Sequence, residues 1–132
     1  MLNPSTADAS RDDPTIRRCI RFARDWGFGK IAVGNLYALR SPHPDHLATA
    51  ADPVGPENDR WLREIIGRAS TVVVAWGACP VARARAVDVL EMLSHRPLYC
   101  LGTTRDGHPR HPLYVPGSQK ASVYREVWKS AV

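Results

Sequence analysis

Three short runs made almost wholly of apolar residues constrain this fold more than any other feature of the chain. They are "KIAVGNLYAL" from residue 30, "TVVVAW" from residue 71 and "PLYCLG" from residue 97. Apolar runs without alternation are typical of strands that are buried on both faces, as in parallel sheets covered by helices. We therefore predict a strand in each run, the first over residues 30–36.

Helical patterns separate these runs. Asp13 as N-cap and Pro14 at the first helical position predict a helix that ends near residues 27–29, where two glycines stand. Apolar residues at helical spacing predict further helices over residues 58–69, 79–94 and 119–131. If residues 1–2 are the stub of a first strand, the alternation predicts one three-layer α/β/α domain over residues 1–132. Its mostly parallel central sheet would have about four strands, and we expect residues upstream of strand one to be missing.

Composition excludes several classes of protein. No apolar run approaches the roughly 20 residues that cross a bilayer, and the first residues lack the pattern of a signal peptide, so we predict a cytoplasmic protein. The three cysteines have neither disulfide-framework nor zinc-finger spacing, and the sequence indicates no cofactor and no metal. A net charge of +5 is compatible with a polyanionic partner.

Polar residues follow the predicted strands at what should be one edge of the sheet. Ligands of open α/β sheets bind at the carboxyl ends of the strands, so four loops are expected to form one cleft. Asn can pair with an amide-like base edge, His can donate to a developing anion, and backbone N–H groups can hold phosphate. The predicted substrate-binding residues are Pro4, Ser5, Thr6, Asp8, Asn35, Arg40, Trp76, Gly77, His108 and Arg110.

Two resemblances accompany this arrangement. The order of "LNPST", "VGNLYALR", "VVAWGACPVA" and "RHPLYV" resembles that of the motifs of the uracil-DNA glycosylase superfamily. At closer range, "LNPSTADA", "DDPTIRRCI", "DPVGPEND" and "GHPRHPLY" look like the signatures of an uncharacterised bacterial family of unknown function.

The glycosylase resemblance implies a uracil-DNA glycosylase-like fold and an N-glycosidase activity on a nucleobase or nucleic acid. Under it, Asn3 would position the attacking water, Asn35 would bind the Watson–Crick edge of the base, and His111 would stabilise the departing base. Asn3 and His111 are thus the catalytic candidates, although the final loop also contains His108 in the same neighbourhood.

The alternative function is a non-catalytic module that binds a nucleotide-like ligand or nucleic acid through Asp8, Asn35, Arg40 and Arg110. No membrane or obligate protein partner is predicted. Asn35 is about equally well explained by a bond to a neighbouring loop, and Asn3 in "NPS" by an ordinary turn.

Three further features have a functional and a structural interpretation. Cys79 at a helix start could be a nucleophile, but a packed small residue is favoured. The spacing of His43, Asp45 and His46 permits a metal, although such loops are usually solvated surface. The arginines at positions 17, 21 and 24 form a stripe on the first helix, which is favoured as a solvated face over a phosphate contact.

Overall fold

The computed structural model describes residues 1, 13–37 and 50–125 of the 132-residue chain. The helices in this part are α1 (Pro14–Asp25), α2 (Asn58–Arg68) and α3 (Pro80–Met92). The strands are β1 (Val73–Val74), β2 (Leu98–Cys100) and β3 (Ser122–Arg125), and a 3-10 turn covers Pro112–Tyr114. No helix among these residues is long and apolar enough to cross a membrane.

The three helices confirm the predictions for residues 14 onward, 58–69 and 79–94. The Asp13 carboxylate accepts a hydrogen bond from the Ile16 N–H at 3.1 Å, and Pro14 occupies the first turn of α1. Asp13 is therefore the N-cap of α1, because its side chain satisfies one of the amide groups that a helix start leaves without an intrahelical partner.

The predicted sheet is wrong. The described strands form one three-stranded mixed sheet in the order β1-β2-β3. β1 and β2 are parallel, with Val73 opposite Tyr99, whereas β3 is antiparallel to β2. The described chain thus has three helices and a three-stranded mixed sheet, and not the predicted three-layer α/β/α fold of glycosylase type with about four mostly parallel strands.

The strand predicted over residues 30–36 does not form in the described structure. This segment packs directly on α2, where a methyl group at Gly34 would lie 2.6 Å from Leu62 Cδ2. Its last carbonyl groups accept hydrogen bonds from side chains of α2 and α3 instead of from a neighbouring strand. The apolar composition therefore indicated burial correctly, but burial does not require pairing in a sheet.

The helix predicted over residues 119–131 is also wrong where the structure describes it, because residues 122–125 form β3. Pairing with β2 overrides a weak helical pattern, and a side chain fixes the end of the strand. The Arg125 guanidinium donates to the carbonyl groups of Leu90 and Leu93 at 3.1 and 2.8 Å. It thereby satisfies acceptors that the C-terminal end of α3 leaves open.

Two apolar clusters form the core. The larger cluster joins α2, α3, β1 and β2, and includes Leu62, Val74, Ala86 and Leu98. In the smaller cluster, Phe22 of α1 packs with Ala75, Leu101 and Val115. The second cluster fixes α1 beside the residues that follow β1 and β2, which is the region that contains most of the described candidate residues.

Candidate functional site

The turn that follows β1 contacts the loop that follows β2. Gly77 has φ +84°, a left-handed conformation that favours glycine. Its N–H donates to the Pro109 carbonyl at 2.9 Å, and a methyl group added to Gly77 would lie 3.8 Å from His111 Cβ. Gly77 and His111 are therefore neighbours across the carboxyl ends of two parallel strands.

A short hairpin precedes His111 and holds both His108 and Arg110. The Thr104 N–H donates to the His108 carbonyl at 2.8 Å, and the Thr104 hydroxyl accepts from the His108 N–H. Arg110 is tied to the other strand of the hairpin, since its Nε donates to the Thr103 carbonyl at 3.1 Å. These bonds give both residues a structural role in the hairpin, whereas His111 is the histidine that lies against Gly77.

The protonation state of His111 follows from its surroundings. Its Nδ1 accepts a hydrogen bond from the Leu113 N–H at 3.1 Å, which starts the 3-10 turn. An accepting Nδ1 places the ring proton of a neutral imidazole on Nε2. Burial lowers the pKa of His111. His111 is thus a neutral imidazole with one N–H donor at Nε2.

The backbone around Asn35 is held by two buried polar side chains. The Asn58 amide donates to the carbonyl groups of Asn35 and Leu36 at 2.9 and 3.1 Å. The Arg85 Nε donates to the same Leu36 carbonyl at 3.0 Å, and its guanidinium also pairs with Asp59. We call Asn58, Asp59 and Arg85 the bracket, because together they connect α2 and α3 to this backbone.

Three further hydrogen bonds connect the Asn35 segment to other parts of the chain. The Tyr37 hydroxyl donates to the Val81 carbonyl at 2.7 Å, in the first turn of α3. The Met1 amino group donates to the Gly34 carbonyl at 3.1 Å, and the Leu36 N–H donates to the Met1 carbonyl at 2.8 Å. The Asn35 segment is therefore held between the start of α3 and the backbone of Met1.

A cavity of about 710 Å³ lies between residues 28–36 and residues 71–76. Asn35 and Trp76 belong to its lining, and His111 does not, although the adjacent Pro112 does. Most of the lining is apolar, with contributions from Phe22, Ile31, Val33, Ile65, Val74 and Leu101. Within the described part of the chain, the side chain of Asn35, which belongs to this lining, forms no hydrogen bond.

Six of the predicted site residues, Asn35, Trp76, Gly77, His108, Arg110 and His111, lie in the described structure. The others lie outside the described residues: Asn3, Pro4, Ser5, Thr6, Asp8 and Arg40. The metal interpretation of His43, Asp45 and His46 falls outside them as well. In the part of the chain that can be described, no group of three His, Cys, Asp or Glu side chains is placed to hold a metal ion.

The sequence interpretation missed the bracket, although the sequence contains two signals for it. Asn58 and Asp59 are the last residues of "DPVGPEND", a segment that carries the family resemblance but to which the sequence alone assigns no contact. Arg85 stands among Ala82, Ala86 and Val89, which all face the core, and it is only 6% exposed. A charged residue at core spacing indicates a buried ion with partners, because an unpaired buried charge is too costly.

Together these contacts define a small α/β domain whose candidate site joins the end of β1, the loop after β2 and a bracketed segment. Residues 1–113 match the family described as "Protein of unknown function (DUF1643)", so the chain belongs to that family. No curated protein shows a significant match to the chain. No solved structure does so either.

Membership in an uncharacterised family confirms the closer of the two predicted resemblances. Nothing in these matches supports the resemblance to uracil-DNA glycosylases, and the mixed three-stranded sheet contradicts the fold that it implied.

Proposed function

We propose that this protein binds a nucleotide-like ligand, with a planar base in the apolar cavity and an anionic group beside His111. The observation that carries the proposal is the cavity of about 710 Å³ with the unpartnered Asn35 amide in its lining. Small-molecule sites are typically concave, mainly apolar, and about 300–1,000 Å³ in volume, with a few polar groups that orient the ligand.

The base fits the chemistry of the cavity. Apolar side chains such as Ile31 and Val33 accommodate the faces of a flat ring, and an amide can donate and accept at the edge of a pyrimidine or purine. The bracket supports this role of Asn35, because it fixes the backbone on which the amide is carried. A site residue held in this way loses less conformational entropy when a ligand binds.

The anionic group fits the surroundings of Gly77. His111 offers a neutral Nε2–H donor there. Cys79 makes no side-chain cap bond to α3, Pro80 has no N–H, and the Ala82 and Arg83 N–H groups donate to the Cys79 carbonyl. The Val81 N–H is the first-turn amide that an anion could bind. A side chain at position 77 would start 3.8 Å from His111 Cβ, and glycine leaves this space open.

Thermal unfolding in the presence of nucleoside 5′-monophosphates, their free bases and inorganic phosphate tests the proposal. A ligand present at about 100 times its dissociation constant adds about 2.7 kcal/mol to the free energy of unfolding. We expect a monophosphate to raise the Tm more than its base or phosphate alone. Failure of all three kinds of probe to raise the Tm at millimolar concentration would exclude the proposal.

Two glycines provide a matched pair of variants for this assay. Gly77 and Gly107 both have φ +84°, so replacement by alanine introduces the same backbone strain at each. Only the methyl group at Gly77 meets His111, whereas nothing lies within 4 Å of the methyl group at Gly107. Gly77→Ala should therefore abolish the ligand-dependent increase in Tm, and Gly107→Ala should retain it. Equal loss in both variants would show that strain, and not the site, is responsible.

Hydrolysis of an N-glycosidic bond is a second candidate function, favoured by the neutral Nε2–H of His111. A donor of this kind stabilises the negative charge that develops on a departing base. Incubation with uracil-containing or mismatched DNA followed by alkali would then give strand scission, and His111→Asn would reduce it. Ligand binding without scission would leave the binding module as the function.

A further inference from the structure

The outward face of α1 carries a row of arginines. Arg17, Arg21 and Arg24 are exposed and recur at helical spacing, so they share one side of the helix. With Ile20 and Asp25 they line a surface depression of about 430 Å³. The opposite side of α1 is turned inward, where Phe22 is buried in the smaller core cluster.

The arginines of α2 differ from those of α1 in their partners. On α2, Arg60 pairs with Glu57 and Arg68 pairs with Glu64, each at 2.9 Å. Among the described residues, neither Arg21 nor Arg24 forms an ion pair, even though Asp25 lies four residues after Arg21. Arg21 and Arg24 therefore carry positive charge that no described acidic side chain neutralises.

The helix that carries this face contacts the candidate site through its inward side. α1 packs against the 3-10 turn Pro112–Tyr114, which begins directly after His111. Arg18 extends from α1 toward the following loop, where a methyl group at Gly117 would lie 2.9 Å from its Nη1. The helix that carries the arginines is thus in contact with the turn that follows His111.

We propose that the arginine face of α1 binds the phosphodiester backbone of a nucleic acid. Arg21 and Arg24 lie about 4.5 Å apart along the helix axis at roughly 1.5 Å per residue. One strand of B-DNA carries a phosphate about every 3.4 Å of its axis, so these two arginines can contact neighbouring phosphates. The guanidinium group is well suited to this contact, because it donates two parallel hydrogen bonds to phosphate oxygens.

Binding of a nucleic acid along α1 also bears on the ligand of the candidate site, and this step rests on the proposed function. If the cavity and His111 hold a nucleotide, then the ligand in the cell is a nucleotide within a strand and not a free one. The α1 face would bind the neighbouring phosphates without regard to sequence, since backbone contacts position a nucleic acid and base contacts specify it.

Fluorescence anisotropy with short labelled single- and double-stranded DNA, measured over a range of salt concentrations, tests the inference. The test variant is the double substitution Arg21→Gln/Arg24→Gln. The control is Arg60→Gln/Arg63→Gln on α2, which removes the same net charge from exposed positions outside the cavity lining. Each lost phosphate contact should reduce the slope of log affinity against log salt by about 0.9 for duplex and about 0.7 for single strands.

We expect the α1 double variant to lose slope by about two such increments and the α2 double variant to keep the slope of the unmodified protein. Equal effects of the two double variants would overturn the inference, because net charge alone would then explain binding. Absence of salt-dependent DNA binding would also overturn it. Competition by polyglutamate or phosphatidylserine vesicles that equals competition by unlabelled DNA would point to an acidic protein or a membrane surface instead.

A second measurement separates this inference from the proposed function. The Tm increase caused by the effective monophosphate is measured for the α1 double variant. If that increase is retained while DNA affinity falls, both proposals hold. If the unmodified protein binds DNA through α1 but no mononucleotide raises its Tm, the proposed function fails and the α1 contact remains. If mononucleotides bind but DNA binding does not depend on α1, the inference fails alone.

Discussion

Leu36 provides a test of whether the bracket stabilises the fold as its geometry indicates. Its carbonyl oxygen accepts from both the Asn58 amide and the Arg85 Nε, at 3.1 and 3.0 Å. Both donors are buried, at 8% and 6% exposure. The isosteric replacements Asn58→Leu and Arg85→Met remove one donor each and retain most of the side-chain volume.

The expected magnitudes follow from the remaining partners. Arg85→Met leaves the Leu36 carbonyl bonded to Asn58 and leaves Asp59, whose side chain is 45% exposed, free to be solvated. A hydrogen bond from a charged donor contributes about 1.5–3 kcal/mol, and a partly exposed ion pair adds about 0–1 kcal/mol. Relief of the buried charge offsets part of this loss, so we expect destabilisation by about 2 kcal/mol. Asn58→Leu should cost a similar amount, because it removes two neutral hydrogen bonds of about 1 kcal/mol each.

The double variant distinguishes a shared acceptor from two independent contacts. With both donors removed, the Leu36 carbonyl has no described side-chain partner, and a buried unsatisfied group costs about 1–3 kcal/mol. The double variant should therefore lose about 1 kcal/mol more than the sum of the single variants. Urea unfolding followed by tryptophan fluorescence measures these values, with Arg68→Met as the distant, exposed control. Additivity within about 0.5 kcal/mol, or a smaller loss, would refute the shared-acceptor argument.

Three further outcomes are expected from the described contacts. Gly34→Ala should destabilise the fold by about 1–3 kcal/mol in urea unfolding, because its methyl group would lie 2.6 and 2.7 Å from Leu62 and Ile65. Gly67→Ala is the control: open space surrounds it, so it should be neutral or stabilising by up to about 1 kcal/mol in the same assay. Because the pKa of His111 is lowered in the folded protein, the unfolded chain takes up the proton first, and stability should fall as the pH decreases below the ordinary histidine value of 6.5. His111→Asn should flatten this part of a Tm-against-pH profile. An unchanged profile would contradict the lowered pKa of His111. Asp13→Ala should cost about 1 kcal/mol through loss of the α1 cap, with Asp13→Ser retaining most of the stability in the same assay.

The helices could be predicted from the sequence because their signals are local. Asp13 and Pro14 mark the start of α1 within two residues, and the apolar spacing of α2 and α3 repeats over three turns. The sheet could not be predicted in this way, since pairing depends on residues far apart in the chain. β3 exists because residues 122–125 meet the free edge of β2, and its Arg125 meets the end of α3.

The candidate site shows the same division. That Gly77 and the 108–111 loop belong to neighbouring strand ends follows from the order of elements, and the structure places Gly77 against His111. The structure distinguishes His108 from His111 as the site residue through the hydrogen bonds between His108 and Thr104. No local sequence pattern predicts these bonds. The backbone around Asn35 is likewise held by side chains of two helices that come later in the chain.

The family match covers the candidate site but ends before the last strand. The matched residues 1–113 contain the bracket, the Gly77 turn, His111 and all of α1, whereas β3 begins at residue 122. The site therefore depends on contacts that the family model covers, and the sheet edge beyond it is held mainly by β2 and by Arg125. The segment "DPVGPEND" lies within the matched residues and ends with Asn58 and Asp59. Asn58 bonds the Asn35 carbonyl directly, and Asp59 pairs with Arg85. The last residues of this segment therefore do more than form a turn: the buried Asn58 amide holds the carbonyl groups of Asn35 and Leu36 in place.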